Sequence, residues 1–98
     1  MDIADWRKKI DELDRELVRL LNERARCVLD IGQIKRTNSL PIQEPRRERE
    51  VFQNTLQVST GPLEGGALQR IFQQIVEECR DLQRELFNKK NHRKPRED

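Results

Sequence analysis

Apolar residues in the first third of the chain recur at Ile3, Trp6, Ile10, Leu13, Leu17, Leu20, Cys27, Ile31 and Ile34. The steps alternate between three and four residues, the period of a helix that packs along a seam. Arg24, a cation, fills the gap between Leu20 and Cys27. Residues 3–36 contain no proline and a single glycine, Gly32. The pattern predicts one long helix, about 50 Å at about 1.5 Å per residue. Thr37, Asn38 and Ser39, followed by Pro41, predict its end.

A loop is expected over residues 37–44. Pro45 suits the first turn of a second helix, with Glu44 and Glu48 at its positive end. Val51, Phe52, Thr55 and Leu56 give that helix an apolar side, and Ser59, Gly61 and Pro62 close it. Gly65 and Gly66 are expected to finish the second loop. A third helix is predicted from about Ala67, with a stripe of Leu68, Phe72, Ile75, Cys79, Leu82 and Leu86. The reading is all-α, with three helices in a domain over residues 1–87. The polar stretch 88–98, NKKNHRKPRED, is expected to be a disordered tail.

Composition sharpens this picture. Of 98 residues, 39% are charged and 34% hydrophobic. That is a lean core for a lone globule, so the missing burial is expected from a second copy of the chain. The length holds one domain at most. No apolar run approaches the roughly 20 residues of a membrane span, and MDIADWRKK lacks the apolar core of a secretory signal. A cytoplasmic location is expected, and Cys27 and Cys79, both on apolar stripes, require no disulfide.

Charge is nearly balanced, at +2 overall. Residues 1–43 carry nine basic against eight acidic groups, residues 44–60 three against three, residues 61–87 three against five, and residues 88–98 five against two. The basic excess lies in the tail. No basic face is formed, so nucleic acid is not an expected partner. Two cysteines and one histidine, His92, cannot build the usual four-ligand zinc site. A histidine-dependent triad would have to use His92 in the polar tail. No glycine-rich phosphate loop is present. Any chemistry must run on Arg, Lys, carboxylates and amides.

Polar groups stand where apolar ones belong. Arg24 occupies a seam position, where it reads either as a register-setting residue paired with a carboxylate or as a ligand-binding cation. Lys35 follows eleven residues later, on the same face and roughly 16 Å along the axis; it could equally complement the helix C-terminus. Gly32, one turn before, leaves room for a ligand to approach the backbone. Arg7 precedes Arg24 by seventeen residues, roughly 25 Å. It is either a solvated surface arginine or meets Arg24 on one ligand through an antiparallel second copy.

Glu48 opens the apolar side of the second helix with Arg47 beside it; each is otherwise an ordinary helix-end or surface charge. Cys79 lies in the third stripe, where a thiol is usually inert core. Gln83, one turn on, needs hydrogen-bond partners that another helix could also supply. Together these residues describe a bundle interior suited to a small polyanion.

Their order resembles the all-helical (AroQ-class) chorismate mutases. Arg7-Lys8-Lys9-Ile10-Asp11-Glu12-Leu13-Asp14 resembles that family's R-x-x-I-D-x-x-D, and Leu20-Leu21-Asn22-Glu23-Arg24 its L-L-x-x-R. Ile31-Gly32-Gln33-Ile34-Lys35 resembles I-G-x-x-K. Pro41-Ile42, then Arg47-Glu48-Arg49-Glu50-Val51, resemble P-V/I and R-E-x-x-V/L. Phe72-Gln73-Gln74-Ile75-Val76-Glu77 with Gln83 resembles the third-helix signature. The resemblance spans residues 5–87. Glu44 stands where Asp is common, and Cys79 where Ser is common and a thiol is the weaker donor.

The resemblance implies an intertwined helical-bundle homodimer that converts chorismate to prephenate by a Claisen rearrangement, without metal or organic cofactor. It implies a site of Arg24, Lys35, Glu44, Arg47, Glu48, Cys79 and Gln83 from one chain, with Arg7 from the other. Lys35 and Gln83 would serve the ether oxygen, Arg7 and Arg24 the two carboxylates, Arg47 in support, and Glu48 the hydroxyl. Two alternatives remain at this stage. One is an isochorismate pyruvate lyase on the same scaffold; the other is a non-catalytic helical dimerisation module with Arg24 as its register device.

Overall fold

Asp2 starts the long helix. Its carboxylate accepts from the Asp5 backbone N–H at 3.0 Å, and the Asp5 side chain accepts from the Asp2 N–H at 3.1 Å. This reciprocal cap satisfies two of the backbone donors that a helix start leaves open. The computed structural model describes residues 1–91, in three helices: α1 (Ile3–Thr37), α2 (Pro45–Val58) and α3 (Gly65–Asn91). No strand occurs among the described residues.

The end of α1 is fixed by turn chemistry. Asn38 donates its backbone N–H and its side-chain amide to the Ile34 carbonyl, each at 3.0 Å. Ser39 takes φ of 56°, a conformation L-residues seldom adopt. The chain thereby folds back, and the Leu40 N–H reaches the Lys35 carbonyl at 2.7 Å. The loop then runs beside the last turn of α1, close to the Lys35 side chain.

Pro45 occupies the start of α2 as the sequence predicts, but Glu44, at the N-cap, makes no side-chain capping bond. Its carboxylate goes to Lys35 instead. The third helix starts two residues earlier than predicted. The Leu68 N–H bonds the Glu64 carbonyl at 3.0 Å, which places Gly65 and Gly66 in the first turn rather than the loop. A Cβ at Gly65 would lie 3.1 Å from Cδ2 of Leu56, so a side chain there would crowd the packing of α2. At its other end α3 runs through Asn91, past the boundary expected at 87. The expectation for residues 92–98 lies outside the described residues.

Both α1 and α2 pack against α3. The chain measures 57 × 37 × 16 Å and exposes 8064 Å². A compact monomer of this length would expose about 5,900 Å². Many large apolar side chains are among the exposed ones. No hydrophobic side chain is fully buried among the described residues. Ile3, Trp6, Ile10, Leu13 and Leu17, the first half of the α1 seam, are all exposed, Leu13 at 58% and Leu17 at 54%. The two buried side chains are instead polar: Lys35 at 7% and Gln83 at 5% exposure. Elsewhere on α1, Arg19 bridges Glu16 and Glu23. Its hydrogen bond, and then its charge, hold the exposed Glu16 carboxyl below the ordinary glutamate value.

Candidate active site

The polar burial has a geometric cause. A Cβ on Gly32 would stand 3.3 Å from Cγ of Gln83 and 3.4 Å from Cδ2 of Leu86. Glycine therefore lets α3 settle onto α1 at this level. The room that the sequence suggested for a ligand is filled by α3 itself, which corrects that expectation. Gln83, drawn against α1, donates from Nε2 to the Val28 carbonyl at 2.9 Å. The amide carries a second N–H on the same nitrogen.

Beside this contact the three helices border an open cavity of about 230 Å³. From α1 it is lined by Arg24, Cys27, Val28, Ile31 and Lys35, and from the following loop by Ile42 and Glu44. Helix α2 contributes Arg47, Glu48 and Val51; helix α3 contributes Val76, Cys79, Arg80 and Gln83. Of the residues singled out in the sequence, Arg24, Lys35, Glu44, Arg47, Glu48, Cys79 and Gln83 all line this cavity. Arg7 does not; it is exposed on the first half of α1.

Each charge has a definite setting. Lys35 donates from Nζ to the Ile42 carbonyl at 2.9 Å and pairs with Oε2 of Glu44 at 2.7 Å. Its ammonium thus faces the loop across the cavity wall rather than solvent beyond the helix end. Arg24 donates from Nη1 to Sγ of Cys79 at 3.5 Å. Sulfur is a weak acceptor, and no described carboxylate pairs with this guanidinium. The reading of Arg24 as a register device held by a carboxylate therefore finds no partner among the described residues of one chain. Arg47 pairs with Glu50 at 3.3 Å on the exposed side of α2, where such a pair contributes well under about 1 kcal/mol.

Arg80 is the residue that sequence reasoning missed. Its Nη2 meets Oε2 of Glu48 at 2.6 Å. Its Nε is buried and finds no hydrogen-bond partner among the described residues. A usable signal existed: Val76, Arg80 and Gln83 follow steps of four and three, so the arginine shares the inward stripe. It was hidden by Cys79 and Leu82, which satisfy the apolar period on either side.

The lining holds four cations, Arg24, Lys35, Arg47 and Arg80, against two carboxylates, Glu44 and Glu48. Such a cavity suits a small dianion that also offers a hydroxyl donor. No cluster of side chains suited to hold a metal ion occurs among the described residues. No helix among them is long and apolar enough to cross a membrane.

Comparison with known proteins agrees with this geometry. The profile of the family "chorismate mutase type II" matches residues 6–84. The bifunctional chorismate mutase/prephenate dehydratase of Aquifex aeolicus is 38% identical over 89 residues, which cover 87% of this chain and 25% of that protein. The chain thus spans about a quarter of the length of such bifunctional relatives. Among solved structures, chorismate mutase (Form II) from Thermus thermophilus superposes with a TM-score of 0.82 at 33% identity, covering 84% of this chain and 93% of that one. Chorismate mutase from Helicobacter pylori, solved in complex with prephenate, gives 0.78 at 31% identity, covering 85% and 90%.

Proposed function

Because this chain belongs to the chorismate mutase type II family, we propose that its cavity binds chorismate and rearranges it to prephenate, a step of aromatic amino-acid biosynthesis. The observation that carries this reading is the lining of four cations against two carboxylates, with Lys35 and Gln83 buried at its edge. Chorismate has two carboxylates, a hydroxyl and an enol ether. The rearrangement breaks one C–O bond and makes one C–C bond within a single molecule. Neither a nucleophile nor a proton transfer is required. The protein's task is to hold a compact conformer and stabilise charge developing on the ether oxygen.

Roles follow from side-chain chemistry. Arg24 takes a substrate carboxylate, since its planar fork makes two parallel hydrogen bonds and its partner among the described residues is a weak thiol. Lys35, pre-positioned by Ile42 and Glu44, donates to the ether oxygen. Gln83 donates to the same oxygen with the amide hydrogen not directed at Val28. Glu48 accepts from the hydroxyl. Arg47, at the mouth, supports a carboxylate. Cys79 acts through Arg24 rather than as a strong donor of its own.

A second copy of the chain completes the site. The exposed seam from Ile3 to Leu17 supports this reading, as does the area above a compact monomer's. Arg7 lies on that half of α1, roughly 25 Å from Arg24, too far to share a ligand within one chain. In the homodimer it enters the partner's cavity and takes the other carboxylate. Two free thiols, Cys27 and Cys79, fit a reducing cytoplasm.

The test is direct: mix the purified protein with chorismate and follow its loss and the appearance of prephenate. Turnover that Lys35→Ala and Arg24→Ala both abolish is the expected result. Turnover of isochorismate to pyruvate in place of chorismate, or no turnover of either, would overturn the reading.

A further inference from the structure

We propose that Arg80 is a positioning residue for this reaction, acting through Glu48; the inference rests on the reading of the cavity as a chorismate site. Glu48 sits in the first turn of α2, and Arg80 reaches it from α3, thirty-two residues later in sequence. Their contact is therefore a tertiary one, set by how α2 lies on α3. The Arg80 side chain is 18% exposed and that of Glu48 27%. The 2.6 Å contact occupies Oε2 of Glu48, and Oε1 accepts from no donor among the described residues. That second oxygen is the one left for a substrate hydroxyl.

The other cations that line the cavity show why this arginine matters. Lys35 is already engaged by Glu44 and the Ile42 carbonyl. Arg47 pairs outward with Glu50. Among the described residues Arg24 pairs with no carboxylate and donates to the Cys79 sulfur. Without Arg80, Glu48 is a half-buried carboxylate lining the same cavity as an uncommitted guanidinium, Arg24. It would turn to that cation and compete with the substrate carboxylate for it. Arg80 thus holds Glu48 on the hydroxyl side and keeps Arg24 open.

The experiment is a double-mutant cycle on the full chain with chorismate, using Arg80→Met, Glu48→Gln and the pair. Met keeps most of the side-chain length while removing charge and donors. Arg80→Met is expected to lower kcat/KM by about 10- to 100-fold, the size of a lost hydrogen bond to a charged group. In the Glu48→Gln background the same change should cost less than about threefold, because the arginine no longer has a carboxylate to place. Arg80→Lys should recover part of the loss. If Arg80→Met fails to fold, Arg80→Lys enters the same cycle, where a full and additive loss beside Glu48→Gln would overturn the proposal. So would an Arg80→Met enzyme within about twofold of the wild type. A wild-type chain that leaves chorismate unchanged would instead overturn the reading of the site on which the proposal rests.

Discussion

Gly32 and Gln83 are packed so tightly that a Cβ on the glycine would come within 3.3 Å of the glutamine's Cγ. This contact sets where the Gln83 amide lies, because the same approach brings Nε2 to 2.9 Å from the Val28 carbonyl. Alanine at 32 has two opposed effects. It gains up to about 1 kcal/mol of helix propensity, and it pushes the Gln83 side chain, which is proposed to donate to the substrate. Gly32→Ala is expected to leave the melting temperature within a few degrees while lowering kcat about tenfold or more, since small misplacements are costly in a reacting complex. Calorimetry beside steady-state kinetics separates the two. An unchanged kcat would show that Gln83 placement does not limit the reaction.

Lys35 is expected to carry the largest single effect on rate. Loss of one donor aimed at developing charge costs roughly 10²–10³ in kcat, so Lys35→Ala should retain its helical circular dichroism and lose that much turnover. Glu44 is half exposed and shares the holding of Lys35 with the Ile42 carbonyl. Glu44→Asp should therefore keep activity within about fivefold, the ammonium remaining tethered. A loss as deep as that of Lys35→Ala would give Glu44 a direct part in the chemistry.

Cys79 offers Arg24 a weak acceptor at 3.5 Å. A hydroxyl at that position accepts more strongly over a shorter distance. Cys79→Ser is expected to change kcat/KM by less than about threefold, with the fold intact. A collapse of activity would mean that the thiol itself is needed, and the assignment of Arg24 as the principal contact would have to be revised.

The seam of α1 gives the sharpest test of assembly. On an isolated chain, replacing the exposed Leu13 or Leu17 would move stability by no more than about 0.5 kcal/mol. In a dimer whose core runs along this seam, Leu13→Glu buries an unpaired charge and should abolish assembly. Analytical ultracentrifugation of wild type and Leu13→Glu distinguishes these outcomes. A melting temperature that rises with wild-type concentration is expected as well. A monomeric, stable wild type would remove the second copy from the site.

Much of this architecture was legible in the sequence. The alternation of three and four steps placed α1 to within a residue of its observed end, and Pro45 marked the start of α2. The cluster of Arg24, Lys35, Glu48 and Gln83 could be suspected because polar groups at apolar positions are costly unless partnered. What could not be read was mutual placement. Gly32 looked like room for a ligand, and only the packing of α3 shows that Gln83 and Leu86 take it. Arg80 was not singled out, since a one-dimensional stripe does not reveal that α2 brings a carboxylate beside it. Gly65 and Gly66 looked like loop, because propensity speaks for isolated residues and a helix start can outweigh it.

The two ion pairs that fasten α2, Lys35 with Glu44 and Arg80 with Glu48, have an effect on selectivity. Both carboxylates line the cavity, so the site carries counter-ions of its own. Sulfate entering there meets cations already partly neutralised, and it has no proton to offer Glu48. It is expected to be held less well than a dicarboxylate that also offers a hydroxyl. Sulfate should therefore be a poor competitor, with the two glutamates contributing to that discrimination beside the arginines.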